Sequence, residues 1–123
     1  MLTMIKEDGA KFPLTTIPYK KNYDIWSGKI GTVNCQEIEE HVLSKIQGID
    51  RFSAATVFPK HTWADTPLMH IINTLGDEAI SAWFLGLVIM SLLINDTQEW
   101  LVVKTDWMHR EFEICFYWIP EGK

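Results

Sequence analysis

Cysteine is scarce in this 123-residue sequence: there are two, Cys35 and Cys115, eighty residues apart. A pair so sparse cannot staple a disulfide scaffold, and without a CxxC pair it offers no structural zinc site. Phosphate-binding glycine loops are missing as well. Ser27-Gly-Lys-Ile-Gly-Thr contains glycines and a lysine but lacks P-loop spacing, and no strand-to-helix context follows immediately. Long hydrophobic runs are limited to one, residues 79–94, whose only polar members are Ser81 and Ser91. As a helix it would be about 24 Å long, short of the roughly 30 Å hydrocarbon core of a bilayer. Its flanks, Asp77, Glu78, Asn95 and Asp96, carry no Lys or Arg to set an orientation, so a core helix is expected and a membrane span is not. The opening residues turn polar at Lys6 and lack the apolar stretch and cleavage site of a signal peptide. Cytoplasmic residence with reduced thiols is the expectation. Repeats and low-complexity tracts are lacking.

What the sequence does have is an ordinary globular balance, 47% hydrophobic and 22% charged, which excludes a disordered or collagen-like chain. Its length suits one domain, residues 1–123, large enough to hold a core without staples. Six Trp, six Phe and three Tyr suit either a core or an interface. The net charge of −5 is uneven. Residues 1–33 carry five Lys against three acids, a net +2; the other ninety carry six basic and thirteen acidic side chains, a net −7. A net-acidic body repels nucleic-acid phosphates and favours cationic partners, although a carboxylate surplus also serves plain solubility.

Residues 1–33 read as an irregular arm. Phe12 to Pro18 is barred from a helix by its prolines and is expected to be extended or an edge strand. Asp24 to Val33 reads as two short strands around the Ser27-Gly28 turn signal. Asn34 then looks like the N-cap of a helix, with Glu37 completing a capping box. Cys35, Ile38, Val42, Leu43 and Ile46 form its buried stripe, and Gly48 its stop. Ala54 to Phe58 reads as a short strand ended by Pro59. A second helix is expected from a Thr66 cap and Pro67 at its first position to Leu75, stopped by Gly76. The third is capped by Asp77 and runs to Ile94; being apolar all round, it must be covered on several sides. Ala79, Ala82 and Gly86 make a groove on it where another helix or a sheet can approach. Residues 99–105 and 111–119 are rich in β-branched and aromatic residues, and they pair as a C-terminal hairpin across residues 106–110. The expected fold is α+β: three helices, the apolar one (about 78–94) central, packed on a small antiparallel sheet that includes the hairpin.

Among candidates for chemistry, His61, Asp65 and His70 are the best metal or acid–base set. Their spacing matches no motif with a mechanical reason, and scattered polar residues in a connection more often cap or solvate it. Cys35 near a helix start would have a modestly lowered pKa, but a small apolar core role suits it better. Glu111 and Glu113 read as a solvated strand face, and Lys20-Lys21 with Tyr19, Tyr23 and Trp26 is too slight a basic–aromatic patch to suggest nucleic acid. The Asp106 to Arg110 loop is different. Trp107, Met108, His109 and Arg110 occupy a tip normally built from Gly, Asn, Asp or Ser, and their types are enriched at the energetic centres of interfaces. Trp107 could instead fold back onto the sheet.

These residues point first to a non-catalytic protein-binding module of inhibitor, immunity or accessory type, anchored by Trp107 and Met108 and steered to a basic partner by carboxylates. A small-molecule domain with an apolar aromatic pocket is the alternative, followed by a small metal-dependent or acid–base enzyme. No cofactor is implied, and self-association across a two-fold axis suits any of these readings.

Overall fold

The computed structural model describes residues 1–5, 8–49, 52–53, 57–105 and 115–120. The arm expected to be irregular contains ordered structure. Leu2–Ile5 forms strand β1 and Lys11–Leu14 forms β2, paired antiparallel with Leu2 opposite Leu14. Pro13 sits in β2, an edge strand, where a missing N–H is tolerated. Instead of a hairpin, Lys20–Ile30 is a helix, α1. Its inward residues Tyr23, Trp26 and Ile30 recur at helical spacing, and the Ser27 hydroxyl donates to the Tyr23 carbonyl at 2.7 Å. Tertiary burial of that stripe overrides the local Ser-Gly signal.

Helix α2, Thr32–Ile46, follows after Gly31, whose φ of +95° turns the chain between the two helices. Asn34 is therefore not a cap but lies within α2, its side-chain amide donating to the Ile30 carbonyl at 3.2 Å. Ile38, Val42 and Ile46 are buried as expected, Cys35 is half-buried, and Leu43 is exposed. Strand β3 is Phe52–Ser53. Residues 54–56 of the strand expected there lie outside the described residues, and Val57 and Phe58 are not in a strand. A 3-10 turn, Lys60–Thr62, leads to α3, Met69–Leu75, which begins two residues later than the Thr66 cap suggests and ends at Gly76 with φ +72°. Helix α4, Glu78–Ile94, matches expectation at both ends: the Asp77 carboxylate accepts the Ile80 N–H at 2.9 Å, and Asn95 closes it. Strands β4, Trp100–Thr105, and β5, Cys115–Pro120, pair antiparallel.

The fold is α+β, with four α-helices among the described residues and a sheet of order β2-β1-β4-β5-β3. That sheet is mixed rather than antiparallel, because β1 runs parallel to β4 with Leu2 beside Trp100. The core lies between it and the helices. Phe84, Leu85, Val88, Ile89, Met90 and Leu93 from α4 meet Leu2, Ile38, Val42, Phe52, Ile71, Trp100 and Val102. Helix α4 is thus the central apolar element. No helix among the described residues is long and apolar enough to cross a membrane.

Candidate functional site

An open cleft of about 560 Å³ lies where α2 faces the connection into α3. Helix α2 supplies Glu37, Glu40 and His41, which its periodicity stacks on one side; the connection supplies Asp65, Thr66 and Pro67; α3 supplies His70. The connection is held rigidly. Buried Trp63 donates its indole N–H to the Phe58 carbonyl at 2.9 Å, and the Thr66 hydroxyl donates to the Trp63 carbonyl at 2.7 Å. Thr66 Oγ1 also accepts the Leu68 N–H at 3.2 Å, fixing the turn that aims His70 at α2. Asp65 adopts a left-handed backbone with φ +61°, which its short polar side chain tolerates better than most.

Two features set the electrostatics. His70 Nε2 lies 2.8 Å from Glu37 Oε2, a clip between α3 and α2 that is half open to water. The His41 imidazole has its pKa lowered below the ordinary value by burial, with the Lys45 ammonium adding to the effect. His41 is therefore neutral at pH 7 and does not offset the carboxylates of Glu37, Glu40 and Asp65.

Of the residues chosen from sequence, Asp65 and His70 line this cleft, whereas His61 sits exposed in the 3-10 turn and does not. Among the described residues no three His, Cys, Asp or Glu side chains are placed to hold a metal ion. The His70–Glu37 pair has the form of an oriented base, but the hydroxyl lining the cleft, that of Thr66, is committed to the Trp63 carbonyl. Glu37 and His41 were missed by sequence reading. Glu37 reads as a capping-box member, and only the packing of α2 beside residues 65–70 reveals its partner. The surroundings of Cys35 favour the thiol over the thiolate: burial pushes its pKa up, Glu39 adds to this, and Sγ donates to the Ser27 carbonyl at 3.6 Å. Trp107, Met108, His109 and Arg110 lie outside the described residues.

A second surface is aromatic. Tyr19, Trp26 and Trp83 form one patch across α1 and α4, with ring centroids 4.8 Å apart for Tyr19–Trp83 and 5.5 Å for Trp26–Trp83. Tyr19 is 57% exposed and Trp83 42%, while Trp63 and Trp100 are buried. Tyr19 holds a left-handed φ of +56° at the start of α1, a conformation a bulky residue rarely adopts. The groove of Ala79, Ala82 and Gly86 is not used for packing within the described chain. Both alanines are exposed, and a Cβ on Gly86 would meet nothing within 4 Å.

Comparison with protein-family models, curated proteins and solved structures finds no match. The functional reading rests on geometry and charge.

Proposed function

We propose that this chain is a non-catalytic protein-binding module that acts stoichiometrically by occupying a basic surface of its partner, as inhibitors, immunity proteins and accessory subunits do. The observation that carries the reading is the outer face of α2. Val33 and Leu43, 69% and 45% exposed, lie in helical register with the exposed Glu37 and Glu40 on the rim of the cleft. Apolar contacts among carboxylates suit a partner that brings both an apolar surface and Lys or Arg side chains. An arriving guanidinium or ammonium would meet Glu37, Glu40 and Asp65, with neutral His41 adding no opposing charge. Trp107, Met108, His109 and Arg110 belong to the same proposal as partner-binding residues, Trp107 and Met108 as its apolar anchors.

The small-molecule alternative draws less support, because the cleft is lined by carboxylates and imidazoles rather than by the Phe, Trp and Met walls it called for.

The test compares wild type with a Glu37→Lys/Glu40→Lys double variant in quantitative capture from a lysate of the source organism. The captured protein is then purified and titrated. The expected result is a 1:1 complex whose association rate falls at least about tenfold on charge reversal and drops with added salt. Capture that charge reversal leaves unchanged sinks the reading. A rise of several degrees in melting temperature with a metabolite, without any captured protein, would favour the small-molecule alternative.

A further inference from the structure

We draw no further inference here: the strongest candidate, the exposed aromatic and small-residue patch of Tyr19, Trp83, Ala79 and Ala82 across α1 and α4, is an unpartnered face, and nothing in the structure shows what covers it.

Discussion

Ser81 is fully buried in α4, yet its hydroxyl has no hydrogen-bond partner among the described residues. A buried hydroxyl without a partner forfeits its hydration, and serine is also a poorer helix former than alanine. Ser81→Ala is therefore expected to stabilise the fold by about 1 kcal/mol, read as a higher urea midpoint with unchanged slope. His41 works in the opposite sense. An unfolded His takes its proton near pH 6.5, whereas the folded His41 does so only at lower pH. Its contribution is thus fully present above that pH and is lost as pH falls through the folded value, because the unfolded chain then binds more protons. Urea midpoints measured at about pH 7.5 and about pH 5 should fall less in His41→Gln than in wild type. At this scale the sequence was a partial guide. The core role of Cys35 was legible from its residue type, but Leu43 was placed in the buried stripe and lies outside it. Periodicity defines a stripe, and only the neighbouring elements define its width.

Elements whose signals are local were read well. The Asp77 cap and the Gly76 stop before it are set by side-chain and backbone chemistry within four residues, so the end of α3 and the start of α4 were legible. Asp77→Ala removes the acceptor for the Ile80 N–H and is expected to cost about 1 kcal/mol in urea unfolding; Asp77→Ser should recover most of that. Helix α1 was misread because Ser27-Gly28 punctuates it, and the ring contacts that fix it, Tyr23 on Phe84 at 5.4 Å and Trp26 on Trp83, come from a helix more than fifty residues away. β1 was missed for a similar reason. Four residues of modest β-propensity carry little signal until β4 lies alongside them. The candidate site divides in the same way: Asp65 and His70 stood out as polar residues in a connection, while Glu37 and His41 belong to it only once α2 is packed.

In the molecule as a whole, β1 links the two ends of the fold. It lies between β2 and β4, Leu2 is almost entirely buried, and the Trp100 N–H donates to the Met1 carbonyl at 2.8 Å. Deleting residues 1–5 uncovers the edge of β4, leaves β2 without a partner and empties a core position. The expected outcome is loss of the cooperative thermal transition rather than a shifted one, checked by calorimetry. A truncation chosen because the first thirty-three residues look irregular would thus remove part of the core.

The parallel pairing of β1 with β4 also sets a timetable. Leu2 must wait for Trp100, ninety-eight residues later, to leave the ribosome, about 5 to 20 s at ordinary rates of synthesis. Through that interval the nascent chain displays an apolar strand, and later the oily α4 as well, with no sheet to receive them. Protection of this polypeptide during its manufacture therefore falls to whatever shields emerging chains, and a cell short of such shielding should lose it to aggregation before losing proteins whose first strand pairs with a neighbour in sequence.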